Sequence, residues 1–133
     1  MRVTSRTRAV AATAVLATIA GATGCAHPMQ RKLEGRWLGD SVENFDSELV
    51  AAATGWAKGT SMEFSGSNMT VAVPAEEPRS GRYRIERAHA RDLYISVERR
   101  DGTRDKVHFK LDGDHMMRWV FTDGRSIVLR REE

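Results

Sequence analysis

From residue 60 onward the chain alternates apolar and polar positions in short runs broken by turn residues. "SMEFS" sets Met62 and Phe64 on one face, and "MTVAV" sets Met69, Val71 and Val73, with Gly66-Ser67-Asn68 between them. "GRYRIER" turns Tyr83 and Ile85 one way and Arg82, Arg84 and Glu86 the other. "DLYISVERR" alternates Leu93, Ile95 and Val97 with Tyr94, Ser96 and Glu98. The same rhythm continues through Val107, Phe109 and Leu111, through Met117, Trp119 and Phe121, and through Ile127 and Leu129. A period of two over segments this short predicts half-buried antiparallel strands.

The connections predict the register. Asp-Gly recurs at Asp101-Gly102, Asp112-Gly113 and Asp123-Gly124, eleven residues apart. A three-residue loop of the form x-Asp-Gly suits a type I turn closed by a left-handed Gly, with Asp capping the turn. A loop at Arg100–Gly102 pairs Val97 with Asp105, Ile95 with Val107 and Leu93 with Phe109. A loop at Leu111–Gly113 pairs Val107 with Met117, and one at Thr122–Gly124 pairs Trp119 with Ile127 and Met117 with Leu129. Inward residues meet inward residues at each step, which a shift of one residue would destroy. The repeat is therefore read as a measure of strand length.

Upstream, "KLEGRWLGD" supplies a first strand headed by Gly35-Arg36-Trp37, and "SVENFDSELVAAATGWAKG" reads as a short helix. Phe45, Leu49, Ala52 or Ala53, and Trp56 recur at helical spacing, with Asp46 or Ser47 as candidate N-cap and Glu48 in the first turn. The helix is expected to cover the barrel mouth, as a structural plug or as a lid over a ligand. Eight antiparallel strands would leave two exposed edges unless the first pairs with the last. The expected fold is all-β: an eight-stranded antiparallel up-and-down (meander) barrel with one short helix between strands 1 and 2.

The Gly-x-Trp opening, the long first connection, the meander and the terminal basic pair resemble the lipocalin-like bacterial barrels, over roughly residues 30 to 132. In lipocalins the first-strand Trp packs at the closed end beneath an Arg from the last strand. The resemblance thus implies barrel-closing roles for Gly35, Trp37 and Arg131, or Arg130 in its place, and a ligand cavity at the other end.

The first 24 residues change the reading of charge. Arg2, Arg6 and Arg8 precede an uncharged run from Ala9 to Gly24. As a helix those 16 residues would reach ~24 Å, short of a ~30 Å hydrocarbon core. A basic start, a short apolar centre and small residues before a cut site describe a secretory signal peptide. The formal charge of +3 belongs to that segment, since all 18 acidic residues lie after it and three of the 21 basic ones within it. The remainder is balanced, so nucleic acid is not an expected partner.

Cys25 is the one cysteine, so an internal disulfide is excluded. Ala22-Thr23-Gly24-Cys25 resembles a bacterial lipobox, with Ala22 where the pattern prefers Leu. The resemblance implies acylation of Cys25 and attachment to a membrane of the bacterial cell envelope, the outer one in a Gram-negative host. Cleavage after Ala20-Gly21-Ala22, leaving Cys25 in a loose tail, is the alternative. The expected organisation is a signal peptide at 1–24, a tether at 25–33 and the barrel at 34–133.

Candidate chemistry is sparse. "LDGDH" holds Asp112, Asp114 and His115, but lacks the alternating oxygens and later Glu of a calcium loop. His27, His89 and His108 read as solvated, Glu76-Glu77 as a loop between prolines, and no nucleophile elbow or phosphate loop stands out. No enzymatic activity, cofactor or metal is expected. The ligand-lining candidates are Phe45, Trp56, Phe64, Tyr83, Phe109 and Trp119. Strand alternation also gathers Lys58, Arg79, Arg99, Arg100, Arg104 and Arg125 at the open end, as a candidate seat for the carboxylate of an amphipathic acid. The expected function is a membrane-anchored lipoprotein binding a small hydrophobic or amphipathic ligand. The alternative is a structural or protein-binding envelope module with a filled core. Hydrolase-inhibitor lipoproteins are one such class; "FSGSNMT" is faintly similar to their inhibitory loop, and their usual disulfide is absent.

Overall fold

A computed structural model describes residues 27–133. The signal peptide and Cys25 lie outside the described residues. A short helix, α1 (Gln30–Leu33), leads into β1 (Gly35–Glu43), and α2 (Val50–Lys58) follows. Seven strands complete the chain: β2 (Ser61–Ser65), β3 (Asn68–Ala72), β4 (Arg79–His89), β5 (Asp92–Glu98), β6 (Arg104–Leu111), β7 (Met116–Val120) and β8 (Ser126–Arg131). Each pairs antiparallel with the next, and β1 pairs with β8, so the sheet closes as an up-and-down barrel of eight strands. The expected fold class is the observed one.

Two of the three Asp-Gly turns have the predicted register. Ile95 faces Val107 and Leu93 faces Phe109 across β5–β6, while Trp119 faces Ile127 and Met117 faces Leu129 across β7–β8. Gly102 and Gly124 hold φ of 90° and 91°, and the Asp101 and Asp123 carboxylates accept the Thr103 and Arg125 N–H groups. The middle turn differs. Asp112 N–H donates to the Met116 carbonyl, so Gly113–His115 form the loop, and Leu111 rather than Val107 faces Met117. The Asp112 side chain accepts Arg91 at 2.8 Å and is also bonded by Arg118, which holds it just past the end of β6, ahead of the turn. The register moves by an even number of residues, so every side chain keeps its face. Between β2 and β3 the loop is Gly66-Ser67 alone, with Asn68 paired to Ser65.

At one end the barrel is sealed. Trp37 is buried, its indole N–H donates to the Leu33 carbonyl at 2.9 Å, and the Arg131 guanidinium lies 4.3 Å from the ring centroid. Arg131 also donates to the Asp114 carbonyl at 2.8 Å and to the Lys32 and Glu34 carbonyls, tying α1 and the β6–β7 loop to the seal. Gly35 has φ of 118°, a conformation that favours glycine, and a Cβ there would also press on the Arg131 guanidinium at 2.9 Å. Within the expected tether, Leu33 is fully buried in the core and Met29 packs against that core.

α2 also departs from expectation. It starts at Val50, with Leu49 as N-cap and no side-chain capping bond, and Phe45 lies outside it. Asp46 instead accepts the Leu49 N–H through its carbonyl, forming a turn ahead of the helix. The buried face is Ala57, not the Leu49–Trp56 stripe. Ala57 meets Gly39 of β1 so closely that a Cβ on Gly39 would lie 1.8 Å from the Ala57 carbonyl oxygen. Gly39 N–H donates to the Thr60 carbonyl at 2.9 Å, fixing the helix end on the strand. A contact between two small residues brings backbone to backbone, and leaves the bulkier side chains for the rim.

Candidate functional site

Filling of the barrel is graded along its axis. Toward the seal, Trp37, Phe64, Leu93, Phe109, Met117 and Leu129 are fully or almost fully buried. Phe64 meets Phe109 and Tyr83 edge-to-face at 6.0 and 5.3 Å between centroids, a favoured aromatic geometry. Toward the other end Val71, Val97, Val107, Trp119 and Phe121 point inward yet are only partly buried. There the barrel interior opens into a pocket of about 1420 Å³ that it shares with the surface around the mouth. Met62, Met69 and Ile95 form its floor, the valines and Val73 its walls, and Trp119 with Phe121 one aromatic side. Trp56 of α2 overhangs it, 6.4 Å from Trp119, and Trp119 stands 4.8 Å from Phe121. The volume is shared with a groove that passes over the rim to Arg87, Tyr94, Lys106 and His108 on the outer face.

Of the six ligand-lining candidates, only Trp56 and Trp119 line this space. Phe64 and Phe109 lie below it in the packed half. Tyr83 belongs near the seal: its N–H donates to the Ser67 carbonyl in the β2–β3 turn, and Glu34 acts on its hydroxyl. Burial first, then the Glu34 charge, push that hydroxyl up to about 12. Phe45 sits on the rim beneath Arg125, 4.9 Å from the guanidinium carbon. The physical reason is the tilt of the strands. Alternation tells which side chains point inward but not how high in the barrel each one stands.

The basic residues of the mouth are mostly neutralised. Arg99 grips Asp105 with two bonds of 2.6 and 2.7 Å, which hold the Asp105 carboxyl below its usual range and raise Arg99. Arg79 pairs with Glu76 at 3.0 Å, Arg104 with Glu98 at 3.7 Å and Arg125 with Asp123 at 2.6 Å. Among the described residues no ion pair engages Lys58 or Arg100. Four of the six basic residues, Arg79, Arg99, Arg104 and Arg125, are thus paired on the rim of an apolar cup.

A row across the outer face escaped the sequence reading. Arg87, Tyr94, His108 and Val120 face one another on β4, β5, β6 and β7. Arg87 stacks 4.4 Å from the Tyr94 centroid, Tyr94 stacks 4.5 Å from His108, and His108 bonds Asp92 at 2.7 Å. The His108 bond holds the Asp92 carboxyl below its usual range. The signal was present, because the predicted β5–β6 register already set Tyr94 opposite His108.

"LDGDH" is engaged by cations. Asp112 takes Arg91 and Arg118, and the Asp114 carbonyl takes Arg131. Among the described residues no group of three or more metal-ligating side chains converges. No protein-family model matches the chain, and no curated protein matches it in sequence, so the half-filled barrel itself carries the functional argument.

Proposed function

We propose that the protein is a bacterial envelope lipoprotein, exported by its signal peptide and anchored through acylated Cys25, whose barrel holds one small hydrophobic or amphipathic ligand in its upper half. One observation carries the ligand reading: apolar inward side chains are partly exposed around an open cavity at one end, while the other end is packed solid. Leaving such surface wet is unfavourable by about 25 cal/mol per Å², so an apolar guest that covers it binds with that gain. The pairing of Arg79, Arg99, Arg104 and Arg125 with carboxylates favours a neutral guest, or one with a small polar head, over a free acid. The reading assigns binding and gives no residue a catalytic, cofactor or metal role. The balanced charge of residues 25–133 supports no nucleic-acid partner.

Titration of the soluble domain with dodecanol, followed by tryptophan emission, tests this. A saturable one-to-one change is expected, stronger than with dodecanoate and weakened by Trp119→Ala. An unchanged spectrum from a folded protein would refute ligand binding.

A protein-binding role has one observation in its favour: Leu49, Val50 and Trp56 are 45, 39 and 38% exposed on the mouth side. Cross-linking to purified envelope hydrolases, abolished by Leu49→Asp, would support that role instead.

A further inference from the structure

The first described residue already belongs to the sealed end. His27 accepts the Met29 N–H on its ring nitrogen Nδ1 at 3.0 Å, and its carbonyl accepts the Gln30 N–H at 2.9 Å. The Gln30 amide in turn donates to the Gly66 carbonyl at 2.7 Å, in the β2–β3 turn. Cys25 precedes His27 by two residues. Two peptide steps span at most about 7 Å. The mouth stands far beyond that reach, because an eight-residue strand such as β6, tilted as barrel strands are, rises roughly 20 Å along the axis.

We infer that the sealed end rests on the headgroup layer of the bilayer that holds Cys25, with the mouth opening away from that bilayer. The inference rests on the lipoprotein reading above. A chain of that reach cannot run the height of the barrel, so the mouth cannot face its own anchoring surface. Charge does not decide the pose. Arg31 and Lys32 are exposed at this end, but Asp114 and Glu133 share it, Arg91 is paired with Asp112 and Arg36 with Glu132. The covalent tether decides it. The ligand then enters and leaves from the aqueous side, and does not slide in from the anchoring leaflet.

The test uses the acylated full chain in phosphatidylcholine vesicles carrying a nitroxide on the headgroup. A fluorophore is attached through Ser67→Cys at the sealed end or Thr122→Cys at the mouth, both exposed positions. Quenching is expected to be several-fold stronger at position 67 than at position 122. Inserting ten Gly/Ser residues after Cys25 is expected to bring the two values together while the protein stays on the vesicles. Equal or stronger quenching at position 122 with the native tether would overturn the orientation, as would a difference that survives the insertion. Loss of both labelled proteins to the wash, with Cys25 unmodified by mass, would instead remove the lipoprotein reading and the orientation with it.

Discussion

Tyr83 carries a buried hydroxyl with no hydrogen-bond partner among the described residues. An unsatisfied buried polar group costs about 1–3 kcal/mol, so Tyr83→Phe should leave stability unchanged or raise it by about 1 kcal/mol in chemical denaturation. The hydroxyl's pKa is raised from 10.0 to about 12 by folding. Below 10 both states are protonated; as pH climbs from 10 toward 12 the unfolded state ionises first and stability falls. That alkaline loss should be smaller in Tyr83→Phe, and an identical alkaline profile would show that the hydroxyl is not buried as described. Glu43 has the opposite sign. Its bond to Arg118 at 2.5 Å is the largest influence and holds the carboxyl below 4.5. Its contribution is complete above 4.5 and disappears as pH falls through the lower folded value. Arg118→Gln should therefore flatten the acid limb of the stability curve. These partners could not be read from the sequence, because Glu43 and Arg118 are 75 positions apart and meet only once the barrel closes.

At the scale of elements, α2 shows where sequence reasoning reached its limit. The spacing of Phe45, Leu49 and Trp56 predicted a helix, and one exists, but its inner face is set by Gly39 receiving the Ala57 backbone. A glycine on a strand gives no periodic signal, so the contact that orients the helix was silent. Gly39→Ala should force helix and strand apart and destabilise by about 1–3 kcal/mol, with the melting temperature as the readout. A wild-type melting temperature in that variant would contradict the close approach. Trp56, by contrast, is one-third exposed and covers the cavity without filling the core. Trp56→Ala should weaken dodecanol binding several-fold in the same emission titration while shifting the melting temperature little. The two substitutions separate the helix as an anchored element from the helix as a cover.

For the molecule as a whole, the fold was legible because alternation, turn chemistry and the need to remove sheet edges agree on one closed meander. Face was legible too, since the inward residues from Met62 to Leu129 all lie in or against the core or line the cavity. Height was not. Which of those residues are packed and which are wet depends on strand tilt and on the middle turn, where two arginines hold Asp112 out of the loop. Phe64, Tyr83 and Phe109 accordingly lie outside the cavity lining, and Val71, Val97, Val107 and Phe121 lie in it. The barrel is packed at one end and open at the other, and the proposal is that the open half holds a guest. Native mass spectrometry of the protein isolated from its own membranes tests it most directly. One non-covalent adduct of small-molecule mass per chain is expected, lost when Trp119 and Phe121 are both replaced by Asp in a protein that still folds. A folded chain that carries only its covalent lipid, and takes up no apolar compound when offered one, would contradict it.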